Sequence, residues 1–190
     1  VPVVVPGHGI GSCVEFVEEA NKKYNCLSKV QRNKYSQKWL VYDCDGHEDF
    51  AVSIKIARKY GFRVAFSNMC IEYWFVLHFY DMDGQPIPMK GFSHSQAQID
   101  LVNKAIELYN KKASVKVKLY DSESKAVEED FFELMMAFHP ETHNQRLVHA
   151  YNRAKAIHET KKVQGSEFTE SVTTMYELIK ELKGRIKQYA

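Results

Sequence analysis

The sequence predicts an α/β protein, with a parallel sheet flanked by helices and a helical lobe that follows it. Three observations support this class. The first half of the 190-residue chain alternates short apolar runs with helical periodicity, which is typical of repeated strand–helix units. One run, residues 39–42, is continuously apolar, as expected of a strand buried on both faces of a sheet. After the turn-rich residues 81–88, only helical periodicity remains.

Three strands and three helices are predicted in the first half. The strands comprise residues 1–5, 38–43 and 62–66. The helices comprise residues 12–25, 48–60 and 69–79. Ser12 is the expected N-cap of the first helix because Glu15 follows it at the capping-box spacing, and Gly61 closes the second. Asn68 is expected to cap the third helix, whose first turn then contains Glu72.

Helices account for the second half of the chain. Their expected bounds are residues 95–111, 125–138, 144–161 and 169–189. No internal repeat and no low-complexity tract is present. The expected organisation is therefore a strand-containing core followed by a helical lobe.

Two carboxylates follow the second predicted strand. Asp43 and Asp45 are two residues apart, so in an extended chain their side chains point to the same side. Ligands of parallel sheets bind at the carboxyl ends of the strands. Two oxygen donors there suit a Mg²⁺ ion that keeps several waters and bridges to a phosphate. The alternative is that Asp45 and Gly46 form a turn and the acids only precede the next helix.

Further polar candidates lie at the next strand-to-helix junction. Glu72 is surrounded by large apolar residues, where a buried carboxylate is costly unless it has a cation or hydrogen-bond donors. Asn68 and Glu72 also have ordinary explanations, as an N-cap and as an acid stabilised by the helix dipole. His78 lies six positions beyond Glu72, on another face of a regular helix. A core histidine is the simpler interpretation of His78.

The charge balance bears on nucleic-acid binding. Positive and negative charges nearly cancel, at a formal +2, so any affinity for nucleic acid requires a local basic patch. One candidate patch is residues 22–38, which precede the acidic strand end and would suit a polyanion approaching it. The other is residues 111–118, where Lys111 and Lys112 are candidates for phosphate contacts. A solvated strand or helix end explains this second patch equally well.

Composition also bears on the compartment. No apolar run is long enough to span a membrane, and the first residues lack the basic region of a signal peptide. The four cysteines form no CxxC or CxxH pair, so we expect reduced thiols, no structural zinc and a cytoplasmic location. The chain opens on VPVVV without a methionine, and we therefore expect further sequence upstream.

The glycine-rich loop at residues 7–11 lies between a predicted strand and a predicted helix, as phosphate-binding loops do. It lacks both the GxGxxG spacing and a Walker lysine, which argues against a nucleotide-binding loop. A tight strand–helix turn is the commoner use of such glycines. The sequence leaves open whether this loop presents backbone N–H groups to a substrate phosphate.

Two segments of the chain resemble the RloB-like family of abortive-infection proteins. The family pattern has an apolar strand ending in D-x-D, here at residues 43–45, followed by a motif of the type FSNPCFExWLLLHF. Residues 65–79 read AFSNMCIEYWFVLHF. Weaker matches at residues 109–112, 149–157 and 168–178 extend the resemblance over nearly the whole chain. Met69 stands where the family usually has proline, a change expected to affect loop stiffness more than chemistry.

The resemblance implies a fold related to TOPRIM domains, the metal-binding fold of topoisomerases, primases and OLD-type nucleases. Residues 1–90 would form a TOPRIM-like core lacking its first strand and helix, and residues 91–190 the helical lobe. TOPRIM chemistry holds Mg²⁺ or Mn²⁺ with a glutamate after the first strand and a D-x-D after a later one. The D-x-D corresponds to Asp43 and Asp45, whereas the glutamate has no counterpart in this sequence. Either upstream sequence carries it, or this member has lost a metal ligand.

On this resemblance we expect a Mg²⁺- or Mn²⁺-dependent nucleic-acid phosphodiesterase, acting on DNA or RNA in bacterial antiviral defence. Asp43 and Asp45 are the expected metal ligands, and Glu72 is a supporting catalytic acid. The expected substrate-binding residues are Asn68, His78, Lys111 and Lys112. The resemblance implies an AAA-type ATPase partner and no membrane, and it leaves homo-oligomerisation open.

Two other function classes compete with this one. The first is a non-catalytic nucleic-acid-binding or sensor subunit of a defence complex, in which the acidic strand end is vestigial. A strand ending in glutamate upstream of Val1 favours the enzyme, and its absence favours the binder. The second is a receiver-like domain with Asp43 as phosphoacceptor. Such domains need an acidic pair on an earlier strand and a lysine late in the sheet, and neither is evident.

Overall fold

The computed structural model describes residues 11–91, 93, 95–121 and 123–186. Within these ranges the chain is an α/β protein with two strands and eight helices, which confirms the predicted class. The strands are β1 (Trp39–Asp43) and β2 (Arg63–Ser67). The helices are α1 (Cys13–Cys26), α2 (Lys29–Arg32), α3 (Phe50–Lys59), α4 (Glu72–Val76), α5 (Gln96–Asn110), α6 (Glu129–Met136), α7 (Arg146–Gln164) and α8 (Met175–Ile186).

The two strands are parallel and in register from Trp39 opposite Arg63 to Asp43 opposite Ser67. Both were predicted within one residue of their observed bounds, because each is a short apolar run bounded by turn residues. Helix α3 connects them as a crossover, which parallel pairing requires. The strand predicted at residues 1–5 and the glycine-rich loop up to residue 10 lie outside the described residues.

Helix α1 begins at the predicted N-cap. The Ser12 hydroxyl accepts a hydrogen bond from the Glu15 backbone N–H at 3.2 Å. Helix α3 begins at Phe50, two residues later than predicted, after Asp49. The Asp49 side chain does not cap its own helix; it binds the first turn of α1 instead.

The third predicted helix, residues 69–79, is wrong in its extent. Only α4, five residues long, is α-helical there. The backbone of Met69 is in the left-handed region, at φ +72°, which a right-handed helix excludes. Asn68 is therefore not an N-cap: its side chain donates to the Glu170 carbonyl and accepts from the Met69 N–H.

Two helices of the second half start four or more residues later than predicted. The helix expected from residue 125 starts at Glu129: Lys125 has a left-handed backbone at φ +50°, and Glu128, just before the helix, is extended. The helix expected from residue 169 starts at Met175. Residues 172–174 are instead hydrogen-bonded along the edge of β2 that does not face β1, with an antiparallel bridge between Ser67 and Thr173.

The core of the described residues is one connected apolar cluster with members from both halves of the chain. Its aromatic centre includes Phe75 of α4, Phe131 of α6 and Tyr120 of the loop between α5 and α6. The division of the chain into a core and a lobe near residue 90 stays a prediction. Among the described helices, none combines the length and the apolar composition needed to cross a bilayer.

Candidate metal centre at the carboxyl end of the sheet

The loops that follow β1 and β2 are held together by backbone hydrogen bonds. The Cys44 N–H donates to the Ser67 carbonyl at 3.1 Å, and the Asp45 N–H donates to the Met69 carbonyl at 2.8 Å. These bonds extend the pairing of the two strands beyond their ends. The acids after β1 and the residues before α4 are therefore brought to the same edge of the sheet.

Both loops contain residues with left-handed backbone. Asp45 has φ +43°, Gly46 φ +78° and Met69 φ +72°. The proline that the family usually has at the position of Met69 cannot adopt a positive φ, because its ring holds φ near −65°. The expectation that this difference concerns mainly stiffness is thus incomplete. The left-handed conformation of Met69, which proline would not allow, sets the position of the carbonyl to which the Asp45 N–H donates.

Asp43 is partly buried, and its Oδ2 accepts a hydrogen bond from the Ile71 N–H at 3.1 Å. Burial raises the pKa of the Asp43 carboxyl; the Ile71 hydrogen bond partly offsets this, and the charges of Asp45 and Glu72 raise it further. Repulsion between the two aspartates is thus not the main cause of the raised pKa. Desolvation is the larger cause, because Asp43 is more enclosed than a strand-end position suggests.

Asp43 and Asp45 line one shallow cleft of about 140 Å³. Asp45 is exposed, whereas Asp43 lies deeper. The other residues that line this cleft are Ser12, Cys13, Phe16, Tyr42 and His47. Cys13 is a structural member of this set, since burial raises the pKa of its thiol to about 12 and keeps it protonated at neutral pH.

The first turn of α1 borders the cleft but does not offer free N–H groups to a phosphate. The Asp49 carboxylate accepts from the Cys13 N–H at 3.3 Å and from the Val14 N–H at 2.8 Å. Our prediction for this end of the helix had omitted Asp49. An Asp immediately before a helical apolar run indicates a cap of the following helix, and only the fold directs the side chain to α1.

Glu72 is fully buried in the first turn of α4. Its Oε1 accepts a hydrogen bond from the Tyr120 hydroxyl at 3.4 Å, and its Oε2 has no partner among the described atoms. Its charge raises the pKa of Asp43 and of the Cys70 thiol, so the carboxylate lies close to both. Glu72 does not line the cleft itself; it lies behind Asp43.

Two predicted substrate-binding residues are buried. Asn68 is 1% exposed and His78 2%. Asn68 binds backbone groups, as described above, and the His78 Nδ1 lies 3.0 Å from the Trp74 carbonyl. Burial lowers the pKa of His78 to about 4 despite hydrogen bonds that favour its charged form. The structure thus gives both residues a structural role, and their role toward a substrate stays a prediction.

The basic residues are distributed unevenly around the site. Lys111 and Lys112 are exposed at the carboxyl end of α5. Lys38 precedes β1, so it lies one strand length, about 17 Å, from the acids at the other end. Its ammonium packs on the Tyr24 and Phe62 rings at 4.0 and 4.2 Å. Lys38 therefore lies away from the acidic edge, and the approach of nucleic acid over the patch at residues 22–38 stays a prediction.

The donor set fits a cation held by two protein carboxylates. Among the described side chains, no three His, Cys, Asp or Glu groups are arranged to hold a metal ion. Two carboxylates on one cleft are nevertheless what Mg²⁺ commonly uses, with waters and substrate oxygens completing its shell. The unpartnered oxygen of Glu72 and the destabilised charge of Asp43 both indicate a deficit of positive charge at this place.

Comparison with known protein families gives one decisive match. The model of the RloB-like protein family matches residues 4–182. The chain belongs to the RloB-like protein family. The match covers the strand pair, the acidic edge and nearly all of the helical half, so the predicted resemblance is confirmed over its full extent. No curated protein and no solved structure matches this RloB-like chain.

Proposed function

We propose that this RloB-like protein is a Mg²⁺- or Mn²⁺-dependent phosphodiesterase that cleaves nucleic acid in bacterial defence against phage. The observation that carries the proposal is the pair Asp43 and Asp45 on one cleft, which no described lysine or arginine lines, with Glu72 behind Asp43. A relation to TOPRIM domains, which the family resemblance implies, would support the same chemistry.

In this proposal Asp43 and Asp45 hold the ion. A bound divalent cation would polarise a phosphoryl oxygen and lower the pKa of a coordinated water. The Ile71 N–H orients the Asp43 carboxylate, which leaves its other oxygen for the cation. Asp45 is exposed and would hold the cation from the solvent side of the cleft. Glu72 keeps negative charge behind Asp43 and so favours cation binding.

Nucleic acid is the proposed substrate, and an AAA-type ATPase the proposed partner. Of the described residues that line the cleft, none is lysine or arginine. The cation would therefore supply most of the positive charge for the scissile phosphate, and lysines outside the cleft, such as Lys111 and Lys112, would contact the flanking backbone. Binding of nucleic acid should then weaken steeply with salt.

A non-catalytic nucleic-acid-binding or sensor subunit is the second candidate. The observation that favours it is the absence, among the described residues, of a third metal-binding group beside the two aspartates. In that case the acidic edge would bind no metal at millimolar concentration, and any affinity for nucleic acid would be independent of the metal.

The deciding experiment is cleavage of labelled single- and double-stranded DNA and RNA, with and without Mg²⁺ or Mn²⁺. Asp43→Asn should reduce metal-dependent cleavage by about 100-fold. Asp83→Asn is the matched control, because Asp83 is exposed and binds only a local backbone N–H, that of Gln85. Cleavage that persists in Asp43→Asn, or that needs no metal, would refute the proposal.

A further inference from the structure

The phenol of Tyr120 joins the buried acid of the candidate site to the helical half of the chain. Its hydroxyl donates to Glu72 Oε1 at 3.4 Å, 48 residues away in sequence. Tyr120 is 4% exposed, and Glu72 is fully buried. The Cys70 thiol is a second hydrogen-bond partner of the Glu72 side chain, whereas Oε2 has no partner among the described atoms.

Tyr120 is itself held from several sides. Its backbone N–H donates to Asn103 Oδ1 at 2.7 Å, and its carbonyl accepts from Asn103 Nδ2 at 3.0 Å. Its ring packs against Phe75 and Phe131, each with a centroid distance of 5.6 Å. A side chain fixed in this way presents its hydroxyl in one direction, because neither the backbone nor the ring is free to turn.

The backbone of Glu72 is tied to the other side of the site. The residue before it, Ile71, donates its N–H to Asp43. Helix α4 has no side-chain cap and only five residues, so it restrains the Glu72 side chain weakly. The direction of that carboxylate therefore depends on its hydrogen-bond partners, of which the Tyr120 hydroxyl is the distant one and the Cys70 thiol the local one.

The hydroxyl of Tyr120 also lies 3.3 Å from the Lys125 carbonyl. A phenol has one proton, and both neighbours are acceptors, so the two compete for it. Burial raises the pKa of Tyr120, as does the charge of Glu72, and the proton stays on the phenol at neutral pH. The Tyr120 hydroxyl proton is therefore shared between Glu72 and the Lys125 carbonyl, and this sharing weakens its hydrogen bond to Glu72.

We propose that Tyr120 is a positioning residue that holds the Glu72 carboxylate behind Asp43 and thereby increases the affinity of the acidic edge for a divalent cation. This inference rests on the proposed function, since it assigns Tyr120 a part in the same metal site. It predicts that Tyr120 acts only through Glu72.

The test is a double-mutant cycle on Mn²⁺ affinity, measured by titration calorimetry on the folded chain. Tyr120→Phe, which keeps the ring, should raise the dissociation constant about fivefold, and Glu72→Gln about tenfold. The double variant should bind as Glu72→Gln does, because Tyr120 then has no carboxylate to position. Tyr176→Phe is the matched control: it removes a buried hydroxyl that binds His158 and should leave Mn²⁺ affinity unchanged.

A second variant tests the same inference in case Tyr120→Phe does not fold. Asn103→Ala removes the backbone clamp on Tyr120 without touching either Glu72 or the ring, and it should weaken Mn²⁺ binding in the same direction. Urea denaturation of each variant verifies that it is folded at the titration temperature.

The outcomes separate this inference from the proposed function. Wild-type affinity in Tyr120→Phe, or an equal loss in the Glu72→Gln background, overturns the inference and leaves the metal site standing. If the wild-type chain binds no Mn²⁺, the metal site of the proposed function is refuted, and the inference falls with it. A loss in Tyr120→Phe that disappears in the Glu72→Gln background supports the inference.

Discussion

The side-chain oxygen of Thr174 accepts a hydrogen bond from the backbone N–H of Phe66 at 2.9 Å, across 108 residues of sequence. The same hydroxyl lies 3.5 Å from the Val64 carbonyl, and the Thr174 N–H donates to the Phe66 carbonyl at 2.8 Å. The segment before α8 thus satisfies backbone groups on the free edge of β2. It closes the sheet on the side away from β1.

Thr174→Val should destabilise the protein by about 1–3 kcal/mol. Valine keeps the shape of the side chain but leaves the Phe66 N–H without an acceptor in a buried position. Urea denaturation measures the loss. Thr169→Val is the control, because Thr169 is exposed and bonds only within its own turn, and it should change stability by less than about 0.5 kcal/mol.

Met69→Pro should destabilise the protein by about 3 kcal/mol or more. Proline cannot adopt the observed φ of +72°, and it removes the N–H that donates to Asn68 Oδ1 at 3.1 Å. Met69→Gly should stay within about 1 kcal/mol of wild type, because relief of the left-handed backbone offsets the lost side-chain contacts. Equal stability of the two variants would show that this loop does not have the described conformation.

His78 should make stability depend on pH in the acidic range. Burial lowers its pKa from 6.5 to about 4, so the unfolded state binds the proton more tightly than the folded state. The contribution of neutral His78 to the free energy of unfolding is fully present above about pH 6.5. It is lost as the pH falls toward 4, and the loss is at most about 3 kcal/mol. His78→Gln should flatten this slope. Melting temperatures between pH 4 and 7 provide the measurement.

Asp43 should give stability the opposite dependence on pH in the metal-free protein. Its pKa is raised above 3.8 in the folded state, so the folded state holds this proton to higher pH than the unfolded state does. Stability therefore decreases as the pH rises from 3.8 through the raised pKa. Asp43→Asn should lack this decrease. A slope identical in the variant and the wild type would assign it to other groups.

Added Mg²⁺ should offset the destabilisation of the folded state that ionised Asp43 causes at pH 7. A ligand present at ten times its dissociation constant stabilises the folded state by about 1.4 kcal/mol, and the melting temperature should rise accordingly. Asp43→Asn should show no such rise, whereas the exposed control Asp83→Asn should respond like wild type. No rise in the wild type at millimolar Mg²⁺ would count against a competent metal site in this chain.

The α/β class and the strand pair were predictable because their signals are local. A short apolar run between turn residues indicates β1 or β2, and the apolar face of α3 follows from its own periodicity. The Ser12 cap was predictable for the same reason, since the two groups that form it are three residues apart. The D-x-D motif at the end of β1 was predictable for the same reason, and its two aspartates, Asp43 and Asp45, line the cleft.

The errors occurred where residues distant in sequence override a local preference. Residues 169–174 have helical periodicity, yet the unpaired edge of β2 offers backbone hydrogen bonds that a helix there would leave unmade. Asn68 and Asp49 are both good N-caps by residue type, but each binds a segment that the fold brings beside it.

The sequence by itself determined the class of the fold, the family and the position of the acidic edge, since each depends on residues a few positions apart. Only the tertiary structure decided the environment of those acids. It enclosed Asp43 in part and Glu72 fully, gave Glu72 its hydroxyl donor from Tyr120, and set Lys38 at the far end of the strand. Desolvation and long-range hydrogen bonds depend on which segments pack together, and no local pattern encodes that packing.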